Sequence, residues 1–395
     1  MNDTYTSTGA KFFAHQEAMA NLRNGKGQPI VTHVMLTDVC NHRCAFCSVQ
    51  ARAGDSLPLS VIVEYLQTLK TFGLKAVILS GGGNPILYRN AGADFNDVVN
   101  CCKYLGLEVG LITNGMPMKG YTDYRDKTNQ FRPGYSGVRT SWKTVRPETL
   151  DSLTWIRISM SGLDHEEREV FVPDIDPSKT TLGFSYVAHD VYHEPDDPHH
   201  GQVSTRHDLL SGNKERAPDV PFKSRITELI DYVAYYVNRF HPQYVRLLPN
   251  CLEPELISGR VTQLEHMANV INLRSENDAR PDYHPAFVQH KPPQAPHACY
   301  LGYIHPVLNC DGWVYPCDSC VLNETAGHQF ANPWRICRWD EVEKMYTRPV
   351  RSLITDPAKT CPGCVFTKSN EILKSVVDGV ATPAPKEVPI HVNFV

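Results

Sequence analysis

Three cysteines, Cys40, Cys44 and Cys47, stand at C-x3-C-x2-C spacing within Thr37-Asp38-Val39-Cys40-Asn41-His42-Arg43-Cys44-Ala45-Phe46-Cys47. Three thiolates on one short loop can hold three irons of a [4Fe–4S] cube and leave the fourth iron without a protein ligand. An iron with an open position can bind and activate a small molecule, whereas a cube with four thiolate ligands normally only passes electrons. A zinc knuckle or unligated thiols are the competing readings. Structural zinc prefers two ligand pairs at separated places, and here a third cysteine crowds one loop. The loop directly follows an apolar, strand-like run from Val31 to Leu36.

The elements that must carry this loop alternate along the chain. Strands are expected at Val31–Leu36, Ala76–Leu79, Val109–Thr113, Trp155–Met160, Leu182–Val187 and Tyr244–Leu248. Helices are expected at 58–72, with Ile62, Tyr65, Leu66 and Leu69 on one face and Gly73 as its stop, and at 95–105, 226–240 and 261–273. Six strand-then-helix units imply a parallel sheet with helices outside. In parallel barrels the chemistry sits at the C-terminal strand ends. The cysteine loop and the run Ser80-Gly81-Gly82-Gly83-Asn84-Pro85 both fall at such ends.

The bulk numbers fit a large soluble protein. The chain has 395 residues, 42% hydrophobic and 21% charged, with net charge −4. No global basic field draws it to nucleic acid or membrane. No apolar run approaches the ~20 residues needed to span a bilayer, and the polar N-terminal residues are unlike a signal peptide. Thirteen cysteines without a secretion signal point to a reducing, cytoplasmic setting, where they are more often metal ligands than disulfides.

The cysteine spacing, the aromatic Phe46 before the third cysteine, and the strand placement resemble the radical S-adenosylmethionine (SAM) enzymes over residues 31 to about 275. The resemblance implies a partial (β/α)6 TIM-like barrel in which Cys40, Cys44 and Cys47 ligate the cluster and SAM chelates the open iron. One electron then cleaves SAM to a 5′-deoxyadenosyl radical, which abstracts a hydrogen atom from substrate. No side chain is assigned a catalytic role beyond the cluster. Phe46, Gly81, Gly82, Gly83 and Asn84 match cofactor-binding positions of the family, as do Asn114, Arg157, Ser159 and Ser185. Glycines let backbone approach the methionine part of SAM. The family motif usually reads Gly-Gly-Glu-Pro. Asn84 therefore offers the SAM ammonium a neutral carbonyl in place of a carboxylate, roughly half as strong a bond.

A second cysteine group lies near the C-terminus. Cys299 is followed, at C-x12-G-x4-C spacing, by Gly312 and Cys317, and Cys361-Pro362-Gly363-Cys364 supplies a close pair. The pattern resembles the SPASM and twitch auxiliary-cluster domains, and implies one auxiliary [4Fe–4S] cluster on Cys299, Cys317, Cys361 and Cys364. Cys310, Cys320 and Cys337 remain as core thiols or as ligands of a further cluster. Cys101, Cys102 and Cys251 are read as structural. The expected division is an N-terminal extension (1–30), a barrel (31–280) with insertions at 116–147 and 188–221, a twitch-like auxiliary-cluster domain (295–380) and a tail (381–395).

The first insertion carries seven basic residues against two acidic ones, interleaved with Tyr121, Tyr124, Phe131, Tyr135 and Trp142. Charge with aromatics suits a phosphate or a stacked ring. In the second, His189, His193, His199, His200 and His207 lack a regular ligand spacing and are read as surface residues. The expected function is oxidation or crosslinking of a small sugar-, cyclitol- or nucleotide-like substrate, with an electron donor such as flavodoxin or ferredoxin. Redox-neutral rearrangement and peptide modification are the alternatives within the class. A non-enzymatic iron–sulfur or zinc protein is the alternative outside it.

Overall fold

Short runs rich in Val, Ile and Leu, apolar on both faces, make stable strands only where both faces are covered. The computed structural model describes residues 9–42, 44, 46–47, 54–115, 124–125, 131–132, 142–164, 170–189, 222–250, 257–275, 280–289, 295–318, 334–361, 364–385 and 387–395. In it these runs form β1 (Val31–Met35), β2 (Ala76–Ser80), β3 (Glu108–Thr113), β4 (Trp155–Ser159), β5 (Thr181–Ala188) and β6 (Tyr244–Pro249). They lie side by side in chain order, each parallel to the next. A seventh parallel strand, β7 (Ala286–Val288), extends the edge beyond β6. Its three residues are too short to show a period in the sequence.

Helix α1 (Gln16–Arg23) precedes the sheet; α2 (Leu59–Thr71), α3 (Phe95–Tyr104), α4 (Phe222–Phe240) and α5 (Ile257–Ser275) cover its outer face. Helix α2 buries the expected stripe of Ile62, Tyr65, Leu66 and Leu69. Helix α3 starts at a capping box: Asp94 accepts from the Asn96 and Asp97 amides, and Asp97 accepts in return from the Asp94 amide. Such a cap fixes where the crossover returns to the sheet.

Among the described residues the C-terminal segment joins this sheet and builds no separate one. Strand β8 (Val307–Leu308) pairs parallel with β1, and β9 (Trp313–Tyr315) and β10 (Cys337–Arg338) continue it antiparallel. The β8–β9 connection is the expected hairpin, with Gly312 at φ +78° in its turn. Helix α6 (Thr367–Val377) packs on α1. At the opposite mouth of the barrel, residues 391–395 close the N-terminal strand ends. Asn393 bonds Glu108, His391 bonds Thr181, and the Phe394 ring meets Trp155 edge-on at 5.2 Å. The other mouth is left for chemistry.

Of the first insertion, Tyr124–Arg125 pairs antiparallel with Phe131–Arg132. Residues 116–123, 126–130 and 133–141 lie outside the described residues, as do 190–221. Among the described residues no helix is long and apolar enough to cross a membrane.

Candidate functional site

The cysteine loop leaves the C-terminal end of β1 and is fastened at its base. Thr37 Oγ1 and the Asp38 amide both donate to the Asp55 carbonyl, at 2.8 and 3.0 Å. The glycine run after β2 lies directly against it. The Gly83 amide donates to Thr37 O at 2.7 Å, and the Asn84 amide donates to Val39 O at 2.8 Å. A Cβ at Gly83 would sit 2.0 Å from the Val39 carbonyl oxygen, so only glycine allows this contact. Around the thiols, the His42 amide lies 3.4 Å and Asn114 Nδ2 3.7 Å from Cys40 Sγ. His42 Nδ1 is 3.9 Å from Cys44 Sγ and 3.4 Å from Ser161 Oγ.

Asn84 is buried and acts as the hub of an amide network. Its Nδ2 donates to Asn114 Oδ1 at 2.7 Å and to Asn41 Oδ1 at 3.1 Å, while its Oδ1 accepts from Thr113 Oγ1 at 2.7 Å. Asn114 Nδ2 also reaches Asn41 Oδ1 at 3.0 Å. The ends of β2 and β3 are thereby tied to the loop between the first two cysteines. The sequence showed these residues singly; Asn41 was not among the expected site residues, because nothing local marks it.

Strand alternation puts Arg157 and Ser159 on the inner face while Ile156 and Ile158 are buried. In register, Ser159 lies beside Ser185, and Ser185 beside Arg246. Arg246 is a site residue the sequence reading missed. Deeper in the barrel the His33 and His305 rings stand 6.2 Å apart. Burial pulls His33 down to about 4, and holds His305 below its usual range, against the opposing pull of Asp318 on both. Among the described residues, His33 Nε2, His305 Nε2, Arg157 Nε and Asp318 Oδ1 are buried without a hydrogen-bond partner. His305 Nδ1 faces the Val395 carbonyl at 3.0 Å, which leaves its Nε2 as an acceptor.

His189 corrects the surface reading. It is 2% exposed, at the end of β5, and its ring lies 5.1 Å from that of Phe46. Its Nε2 is 3.1 Å from Asp164 Oδ2. Asp164 Oδ1 accepts from the Tyr186 hydroxyl at 2.9 Å and from Arg225, which also donates to the Tyr186 oxygen at 3.1 Å. Burial alone would raise the Asp164 carboxyl, but His189, Arg225 and Tyr186 together hold it below the usual carboxylate range. The other four histidines of that insertion lie outside the described residues.

Cys299, Cys317 and the Cys361–Cys364 pair come from three places, yet Cys299 feels Cys317, Cys364 and Cys361, and Cys364 feels Cys317 and Cys361. Burial first, and these neighbours second, push the Cys299 thiol up and Cys364 up to about 12. Met35, Val307, Tyr315, Trp334 and Ile354 form the apolar wall around Cys299, with Cys317 and Cys361 packed on it. Cys310 lies instead beside Asp38, Asp311 and Asp55, and burial drives its thiol far up. Cys337 sits in the outer core near Tyr65 and Tyr346, pushed by burial up to about 12. Cys101 and Cys102 lie in α3; Cys251 and Cys320 are outside the described residues.

A cube takes one thiolate per iron, so its sulfurs surround a volume and do not meet at a point. Among the described residues no three His, Cys, Asp or Glu side chains converge on a single-ion position.

Residues 34–167, about a third of the chain, match the family model described as the radical SAM superfamily. The match implies SAM and a [4Fe–4S] cluster as cofactors of this segment. A probable GTP 3′,8-cyclase of Saccharolobus islandicus is 31% identical over 134 residues, 33% of this chain and 40% of the relative. An S-adenosylmethionine-dependent nucleotide dehydratase of Selenomonas ruminantium is 34% identical over 83 residues, 21% of this chain and 29% of the relative. The match thus spans well under half the length of these curated relatives. Among solved structures, Streptococcus suis SuiB bound to S-adenosylmethionine superposes with a TM-score of 0.46 at 12% identity, covering 87% of this chain and 70% of that one. Native anSMEcpe with bound AdoMet and Cp18Cys peptide superposes with a TM-score of 0.46 at 11% identity, covering 93% and 96%.

Proposed function

We propose that this chain cleaves SAM reductively at a cluster held by Cys40, Cys44 and Cys47, and oxidises a small polar substrate using an auxiliary [4Fe–4S] cluster of the twitch type. The observation that carries the reading is the meeting of the cysteine loop, the glycine run and the strand-end polar residues at one mouth of a parallel barrel. When bound, the first cluster supplies the electron that splits SAM into methionine and a 5′-deoxyadenosyl radical, which takes a hydrogen atom from substrate. A flavodoxin- or ferredoxin-type donor provides that electron.

The chain's own residues bind and orient. The Asn84 network holds the loop between Cys40 and Cys44 in place, and the Asn114 amide donates toward the Cys40 sulfur. Arg157, Ser159 and Ser185, on the inner strand face, offer a cation and hydroxyls to the carboxylate and ribose of SAM. The inner chamber of His33, His305 and Asp318 offers acceptors for hydroxyl or amino groups of a substrate, and Asp318 directly follows Cys317. A substrate seated there would lie near Cys299, Cys317, Cys361 and Cys364, whose cluster would take its second electron while a proton leaves to solvent. The relatives named as acting on nucleotides, and the basic aromatic insertion, favour a nucleotide- or sugar-like molecule.

The test is anaerobic reconstitution, then incubation with SAM, dithionite and nucleotides, sugar phosphates and amino-cyclitols. It follows 5′-deoxyadenosine and a substrate mass change of −2. A Cys317→Ser protein that retains iron should still form 5′-deoxyadenosine but less oxidised product. Unchanged product in that variant would leave the second site a structural or substrate-anchoring role.

A further inference from the structure

The Asp164–His189 pair has a chemistry that the proposed cofactor site does not yet use. Asp164 is deeply buried, and its two oxygens are committed to His189, Tyr186 and Arg225. Held below its usual range, it is a carboxylate, and a carboxylate only accepts. With Nε2 donating to that carboxylate, a His189 ring that carries one proton keeps Nδ1 as a lone-pair acceptor. Among the described residues Nδ1 is buried without a partner. An unsatisfied buried polar atom is costly and calls for an explanation. His189 sits at the C-terminal end of β5, against the ring of Phe46, which lies between Cys44 and Cys47. A ligand seated on the cysteine loop and stacked near Phe46 would bring its donors to this atom.

We propose that His189 Nδ1 accepts a hydrogen bond from the nucleoside part of SAM, an adenine amino or a ribose hydroxyl, and that Asp164 is the positioning residue that fixes the ring's proton on Nε2. Arg225 and Tyr186 hold Asp164 in turn. This rests on the reading that the cysteine loop binds SAM, and it makes His189 a specificity-determining residue for the nucleoside.

The experiment measures equilibrium binding to anaerobically reconstituted protein of SAM, and of 5′-deoxyadenosine with methionine. His189→Phe keeps a ring against Phe46 but removes the acceptor, and should weaken both by roughly 2- to 10-fold, one neutral hydrogen bond. Asp164→Asn can donate to Nε2 and move the ring proton to Nδ1, so it should lose as much although the imidazole remains. If that variant does not fold because Arg225 has lost its carboxylate, His189→Phe carries the test alone. The analogues 5′-deoxyinosine and 2′,5′-dideoxyadenosine identify the donor: removing it should cost affinity in the wild type and nothing more in His189→Phe. Wild-type protein that binds SAM, with a His189→Phe variant that binds it equally well, overturns this inference alone. Wild-type protein that binds no SAM overturns the cofactor reading as well.

Discussion

The two cysteine sites are built in opposite ways. Cys40, Cys44 and Cys47 share one loop, partly exposed, with amide donors of His42 and Asn114 turned toward sulfur. Cys299, Cys317 and the Cys361–Cys364 pair arrive from three segments, with Cys299 set in a wall of Met35, Tyr315, Trp334 and Ile354. The first arrangement leaves room for a ligand and stabilises negative charge on its sulfurs. The second buries Cys299 and raises the Cys299 and Cys364 thiols, which resist ionisation until a metal takes the proton's place. Reduction potential falls with burial and rises with hydrogen bonds to sulfur. On the proposed reading the loop would activate a bound molecule, and the C-terminal group would store an electron and hold the C-terminal segment on β1.

The sharpest way to break this comparison is to remove the loop thiols. Cys40, Cys44 and Cys47 changed together to Ala should leave about half the iron of the reconstituted protein. The variant should abolish 5′-deoxyadenosine formation. Undiminished formation would transfer the chemistry to the C-terminal group.

The next test separates the loop's support from its ligands. Gly83→Ala forces a methyl group into the Val39 carbonyl, and should cost about 1–3 kcal/mol or more together with SAM binding. Gly81 has open space where its Cβ would be, so Gly81→Ala should stay within about 0.5 kcal/mol. Thermal unfolding and SAM titration of both check this. Equal effects would mean that the glycine run is only a turn.

Asn84 sharpens the same point. Its expected role was to accept a bond from the SAM ammonium, a role an aspartate could fill as well or better. In the structure its Nδ2 makes two donations that a carboxylate cannot make. Asn84→Asp should lose about 1–3 kcal/mol of stability. An Asp variant as stable as the wild type would show that the amide network contributes little.

The last test concerns acid sensitivity, at His33. Its folded pKa of about 4 is below the ordinary 6.5, so the unfolded chain binds the extra proton between those values. Stability should then be lost as pH falls from about 6.5 toward 4, by about 2 kcal/mol between pH 7 and pH 5. Denaturant unfolding at both pH values, with His33→Gln as the flattened control, measures it. An unchanged slope in the variant would assign the acid sensitivity elsewhere.

The chain by itself determined the strand–helix alternation from β1 to α5 and the three-cysteine loop. Both are local: a strand repeats every two residues, a helix every 3.6, and three thiols within eight residues are neighbours in any fold. The glycine run was legible as a motif, but only the contact of Gly83 with Val39 shows which of its glycines is required. Tertiary structure alone decided that Asn41, Asn84 and Asn114 share one network. It also decided that the C-terminal hairpin adds to β1 in place of standing apart, and that His189 is buried on Asp164. These partners are separated by tens to hundreds of residues, and no period in the chain records which strand ends will meet. The Cys299 group lies between those cases: spacing suggested its members, and burial against β1 and the hairpin brings them within electrostatic reach of one another.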